Sequence, residues 1–237
     1  MRRGACRLAT ASALGAADAS LVGSVRGAAR RPPPLRVYRD VVTEDEEASL
    51  VADADKFFRR TAFTDGHFDN VIVGYREAQK PLRNFSAASR TVLERLTAAV
   101  FPADTSLLPV HLLDLSPDGY IQRHVDHVEY SGAYIVGLSL LSDAVMTLHL
   151  DQPAGAATGA AGAAAASSGG DGGDVWLPMR LPRRSMYVLH GEARYQWAHA
   201  VPLDAARCWG DAVVSEEGKP LRDGRRLAVL FRDAPPD

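Results

Sequence analysis

The stretch LDLSPDGYIQRHVDHVEYSGAYIVGLSLLS, residues 113 to 142, decides how the rest of the chain is read. Within it, His124-Val125-Asp126 sets an imidazole and a carboxylate two positions apart. On a strand such residues share a face, so both can grip one metal ion. A second pair of the same form, His67-Phe68-Asp69, lies upstream of a helical segment. The pair at 124 instead heads a series of short apolar runs separated by turn formers: Val110 to Leu115, Tyr134 to Leu141, Val145 to Leu150, Met186 to Leu189, Arg194 to Val201 and Leu227 to Arg232. Runs of that length and spacing predict strands, so the C-terminal half reads as mostly β.

Working outward, the 237 residues suffice for one sizeable domain with an appendage, and 46% hydrophobic with 24% charged residues is ordinary globular usage. That composition excludes a wholly disordered, collagen-like or coiled-coil chain. The formal net charge of -2 gives no bulk attraction for polyanions. Two cysteines, Cys6 and Cys208, are too few for a disulfide framework or a cysteine zinc site, and no apolar run approaches a membrane span.

Residues 1 to 36 carry seven arginines, no lysine and one acid, Asp18, a local charge of +6 in an Ala/Ser/Gly-rich background. Such composition reads as a disordered organellar transit peptide, because import machinery recognises cationic amphipathic segments. The mitochondrion, and its matrix, is the expected destination, with the chloroplast as alternative. Pro32, Pro33 and Pro34 resist helix and set a boundary, so the domain is expected over 37 to 237. Thr43 and Glu46 form a T-x-x-E capping box ahead of Leu50, Val51, Ala54, Phe57 and Phe58, predicting an amphipathic helix. A second helix is predicted from about Ser86 to Val100, and a strand from His67 to Tyr75. Residues 153 to 174 are almost wholly Ala, Gly, Ser and Asp, which predicts a disordered insertion between strands.

A facial 2-His-1-carboxylate site needs one more histidine from a distant strand, and His199 is the best candidate. Three protein ligands leave an octahedral Fe(II) open for a chelating 2-oxo acid and dioxygen. The same trio with one open position also suits zinc in a hydrolase. Arg226 and Arg232 share parity on one predicted strand, across Leu227-Ala-Val-Leu-Phe231. Guanidinium groups facing an apolar interior need an anion such as the distal carboxylate of a 2-oxo acid; at strand ends they would reach water instead. His111, His127, His149 and His190 read as ordinary strand or turn residues.

Taken in order, His124-x-Asp126, His199 and Arg226-x5-Arg232 resemble the AlkB-type Fe(II)/2-oxoglutarate-dependent dioxygenases. The blocks at 113 to 142, SMYVLHGEARYQWAH (185 to 199), GRRLAVLFR (224 to 232) and HFDNVIVGYRE (67 to 77) are similar to the mitochondrial branch known as AlkB homologue seven. The resemblance spans nearly all of residues 38 to 235 outside the insertion. It implies a mainly β fold with flanking helices, built on a double-stranded β-helix (jelly-roll) dioxygenase core. It further implies Fe(II) at His124, Asp126 and His199, with 2-oxoglutarate and dioxygen as cosubstrates. Arg226 would pair with the distal carboxylate of 2-oxoglutarate, Arg232 would line the site beside the metal-bound aspartate, and Tyr187 would partner the cosubstrate. The implied activity is hydroxylation or oxidative demethylation, with a role in mitochondrial metabolism and regulated necrosis.

The chain departs from the wider family where Leu113-Asp114-Leu115 replaces the Asn-x-Tyr that touches 2-oxoglutarate. It also has no room between Phe63 and Pro109 for the full base-covering lid that flipped-base chemistry uses. An open site of this kind disfavours duplex DNA and suits a protein side chain or a structured RNA segment. A binding module without catalysis and a zinc hydrolase are the rival readings.

Overall fold

Thr43 opens the first helix by reciprocal capping: its hydroxyl accepts from the Glu46 amide at 3.2 Å, and the Glu46 carboxylate accepts from the Thr43 amide at 2.9 Å. In the computed structural model, which describes residues 14–27, 31–66, 71–150, 175–203 and 224–235, this helix, α1, spans Glu44–Phe58. The second, α2, spans Ala87–Val100 and is capped by Ser86. The Ser86 amide itself donates to the Asp53 carboxylate of α1 at 2.8 Å, tying the two helices together. Both helices begin where the sequence places them, the first at its capping box.

The strands are β1 (Leu35–Tyr38), β2 (Ile72–Lys80), β3 (Val110–His124), β4 (Tyr134–Leu140), β5 (Ala144–Leu150), β6 (Trp176–Leu181), β7 (Ser185–His190), β8 (Trp197–Val201) and β9 (Arg226–Arg232). They form one antiparallel sheet in the order β1-β7-β4-β9-β3-β8-β5-β6, with β2 also paired to β3. The long strand β3 joins two walls: Leu115 pairs with Arg226 of β9, whereas His124 pairs with His199 of β8. Residues from the inner faces of both walls, among them Leu115, Ile135, Leu148, Met179, Trp197 and Leu230, form a single apolar cluster. The sheet is thus a barrel-like double-stranded β-helix.

Strand alternation sends the other residues of the β7-β4-β9-β3 wall outward. Leu112, Val136, Leu138, Val188, Val229 and Phe231 pack against Leu50, Phe58, Leu93 and Leu96 of the helices. Two-sided burial explains why β4 is buried at every position and reads as a continuous apolar run. Between its two pairing regions β3 passes tightly beside a bulge in β2. A Cβ on Gly119 would lie 2.2 Å from the Gly74 carbonyl oxygen, so this crossing admits only glycine.

Three expectations change. The predicted strand Arg194 to Val201 begins instead as a short helix, α3 (Glu192–Tyr195), because Arg194 turns inward to serve buried carbonyls, and β8 starts at Trp197. The predicted strand His67 to Tyr75 lies later, over Ile72–Lys80, and residues 67–70, with His67-Phe68-Asp69, lie outside the described residues. Residues 14–27 and 31–36, expected to lie apart from the fold, are packed on it. The Asp18 amide donates to the Val37 carbonyl of β1, Val22 bridges Met179 and Arg26 bridges Trp176 of β6, and Leu21 is buried in the interior cluster. Residues 1–13, the segment 153–174 and both cysteines lie outside the described residues. Among the described residues no helix is long and apolar enough to cross a membrane.

Candidate metal centre

His124 and Asp126 follow one another at the end of β3, and antiparallel pairing sets His199 of β8 directly opposite His124. The two imidazole centroids lie 4.2 Å apart. Asp126 Oδ1 stands 3.3 Å from His124 Nε2 and 3.7 Å from His199 Nε2, and one ligand atom from each residue fits within 4.8 Å. Among the described residues this is the only cluster of potential metal ligands.

The donor set fits a cation. His124 Nδ1 lies 3.0 Å from the Gln122 carbonyl oxygen, which can only accept, so Nδ1 carries the proton and the Nε2 lone pair faces Asp126. Lone pairs of nitrogen and oxygen converging on one point require positive charge between them. Burial, reinforced by neighbouring His124, pushes the His199 imidazole down to about 3, which keeps it a neutral donor. Asp126 is itself buried, which opposes its charge. The neighbouring His124 imidazole and the Arg232 guanidinium nevertheless hold its carboxyl well below the usual range. Two imidazole nitrogens and one carboxylate are what a divalent first-row metal takes.

Arg232 donates from Nε to Asp126 Oδ2 at 2.7 Å, leaving Oδ1 to face the histidines. Its Nη1 also lies 2.9 Å from His111 Nδ1. Arg226 shares the inner parity of β9 with Arg232, as their spacing predicts, but only 1% of it is exposed. Its Nε donates to Ser139 Oγ at 3.2 Å, and Nη2 is buried with no hydrogen-bond partner among the described residues. A guanidinium always carries its charge, so this buried position wants an anion. Tyr187 is also buried, and a Cβ on Gly137 would sit 2.3 Å from its ring. Gly137 therefore makes the space that the Tyr187 phenol occupies. Burial pushes that phenol upward, against the pull of Arg226 and Arg232, and the phenol's presence opposes the downward push that burial puts on Arg226.

Leu113 and Leu115 point into the interior cluster, while Asp114 between them points to the helix side, held by Arg76 at 2.8 Å and Arg225 at 2.7 Å. The segment that replaces Asn-x-Tyr thus offers the interior only apolar surface. Beside the metal ligands opens a cleft of about 570 Å³, lined by Ile72, His111, Val125, Asp126, Tyr130 and Arg232 among others.

Two contributors were not legible from spacing. Arg194, 1% exposed, donates to the carbonyls of Gly132, Asp126, His127 and Ser131 and to the Ser131 hydroxyl, shaping the whole turn that follows the H-x-D pair. His111, read as an ordinary strand residue, lies against Arg232 in the cleft.

A double-stranded β-helix carrying a facial His-Asp-His cluster and a buried, unpaired arginine defines the class of 2-oxo-acid-dependent oxygenases. Two sequence relatives agree. The chain is 35% identical over 237 residues, covering 99% of itself and 91% of the relative, to the mouse protein named alpha-ketoglutarate-dependent dioxygenase alkB homolog 7, mitochondrial. It is 36% identical to the bovine protein of that name, over 80% of this chain and 74% of the relative. Mouse alkB homolog 4 is 27% identical over 71% of this chain and 62% of the relative. No protein-family profile matches. A solved structure of OsALKBH1 superposes with a TM-score of 0.49 at 12% identity, over 86% of this chain and all of that one. The chain belongs to the AlkB family of alpha-ketoglutarate-dependent dioxygenases. It is accordingly an oxidoreductase that uses Fe(II), 2-oxoglutarate and dioxygen.

Proposed function

We propose that His124, Asp126 and His199 hold the Fe(II), that Arg226 and Tyr187 receive the distal carboxylate of 2-oxoglutarate, and that Arg232 orients Asp126. The observation that carries this reading is the buried Arg226 Nη2, which has no partner among the described residues, a cation awaiting an anion in an apolar interior. Bound iron supplies the dioxygen activation that couples conversion of 2-oxoglutarate to succinate and carbon dioxide with insertion of one oxygen atom into a substrate C–H bond. The protein's own groups fix the geometry. His124 turns Nε2 toward the metal position, His199 stays a neutral donor, Asp126 stays ionised, and the Leu113 and Leu115 side chains keep water away from the cosubstrate.

The substrate reading is an organellar protein or RNA, hydroxylated or demethylated in the cleft beside Asp126. The mitochondrial names of both alkB homolog 7 relatives support a mitochondrial location, with the matrix as the compartment. Because residues 14–27 are packed on the sheet, a removable leader would end before them, and residues 1–13 carry three of the arginines. A part in mitochondrial metabolism and regulated necrosis rests on family resemblance. Leu113 and Leu115 favour one second reading, a module that binds metal but turns over no cosubstrate.

The test is carbon dioxide release from carboxyl-labelled 2-oxoglutarate by the Fe(II)-loaded full chain, with mitochondrial protein or RNA added separately. Release that Asp126→Ala abolishes supports the enzyme, and stimulation by one fraction names the substrate class. Equal release by Asp126→Ala would sink the ligand assignment.

A further inference from the structure

Arg232 has a second partner besides Asp126, and that partner has a third. Arg232 Nη1 lies 2.9 Å from His111 Nδ1, and His111 Nε2 lies 2.7 Å from Glu77 Oε2. A guanidinium only donates, so Nδ1 accepts; the remaining imidazole proton then sits on Nε2 and is donated to the Glu77 carboxylate. Every bond in the series Asp126–Arg232–His111–Glu77 therefore has a fixed direction. The series runs from the partly exposed Glu77 on β2, through His111 on β3 and Arg232 on β9, to the candidate metal ligand. Three strands meet in it, and His111 and Arg232 both line the cleft.

We propose that His111, oriented by Glu77, is a positioning residue that locks Arg232 onto the outer oxygen of Asp126 and so makes Asp126 a one-oxygen ligand. The inference rests on the metal reading above. With Oδ2 taken by Arg232, only Oδ1 faces His124 and His199. A long arginine side chain without its second anchor has several rotamers available. Released, it would leave the carboxylate able to turn and offer both oxygens, occupying a position that the cosubstrates need. Outer-shell partners of metal ligands commonly affect metal affinity 10- to 100-fold, roughly.

The experiment is a titration of the metal-free full chain with Co(II), read by its visible d–d spectrum, for the wild type, His111→Leu, His111→Asn and Glu77→Gln, with His124→Ala as control. His111→Leu should weaken Co(II) binding on the order of tenfold and change the spectrum, with the metal-free melting temperature little moved. His111→Asn, whose amide oxygen can accept where Nδ1 accepts, should restore both affinity and spectrum. Glu77→Gln, on the partly exposed end of the series, should shift both in the direction of His111→Leu and by less; it carries the test if His111→Leu does not fold. A wild-type titration and spectrum in His111→Leu or Glu77→Gln, or an Asn variant that folds yet fails as badly as Leu, would overturn the proposal. If the wild type and His124→Ala titrate alike, the metal reading itself fails and the proposal falls with it.

Discussion

Arg226 brings a permanent charge into an interior that meets only part of its hydrogen-bonding capacity. An unpaired buried cation costs stability until its anion arrives. Arg226→Met should therefore leave the metal-free protein as stable as the wild type or more so by calorimetry, while weakening 2-oxoglutarate binding at least tenfold, about 1.4 kcal/mol. A clear loss of stability with unchanged 2-oxoglutarate affinity would remove the arginine from the pocket. Arg194 predicts the opposite balance, because its acceptors are protein carbonyls. Arg194→Met leaves those carbonyls unpaired, and each buried hydrogen bond to a charged group is worth roughly 1.5–3 kcal/mol. The variant should melt lower and lose metal affinity together; one that melts at the wild-type temperature would show that the turn shapes itself. The contrast explains which site residues were legible in the sequence. Arg226 and Arg232 follow from strand parity, and His124 and Asp126 from their spacing, all local geometry. The roles of Arg194 and His111 depend on groups brought from distant strands and have no periodic signal.

At the scale of elements, the segment from Asp18 to Arg26 connects the two ends of the sheet. It hydrogen-bonds to β1 at one end, and Arg26 exchanges backbone hydrogen bonds with Trp176 of the edge strand β6 at 2.7 and 3.1 Å. Leu21→Ala should cost about 2–5 kcal/mol, as for other fully buried leucines, and a chain beginning at residue 38 should melt well below one beginning at residue 14. Equal melting temperatures would show the segment to be dispensable. His190 adds a pH dependence: burial, then the Arg36 charge, hold its imidazole below 6.5. Its contribution to stability is complete above about pH 6.5 and is lost as the pH falls below that value, since the unfolded chain takes up the proton first. Melting temperature followed from pH 8 to 5 should show a fall that His190→Gln reduces; an unchanged profile would assign the fall elsewhere. The first helix was legible from its capping box and the second from its apolar face and the proline after it, and five of the six predicted C-terminal strands from apolar runs. The Trp176–Leu181 strand was not, because Pro178 interrupts it, which only an edge strand tolerates. Neither was the packing of residues 14–27, whose Ala/Gly/Ser-rich composition hides two buried anchors, Leu14 and Leu21.

For the whole molecule, the walls of the barrel bring together groups that lie far apart in the chain. The end of β3 supplies His124 and the turn after it Asp126, β8 supplies His199 opposite His124, and β9 supplies the two arginines on the inner face of the wall that α1 and α2 back. That arrangement leaves one claim at the centre: a three-residue metal site that admits 2-oxoglutarate although Leu113 and Leu115 replace polar cosubstrate contacts. The most direct measurement is an anaerobic titration of the full chain with Fe(II) and then 2-oxoglutarate, following the visible charge-transfer band that forms when a keto acid chelates iron. A band that saturates with 2-oxoglutarate in the wild type and is missing in His124→Ala is the predicted result. Iron bound with no band in the wild type would contradict the account, leaving a metal-binding protein without its cosubstrate.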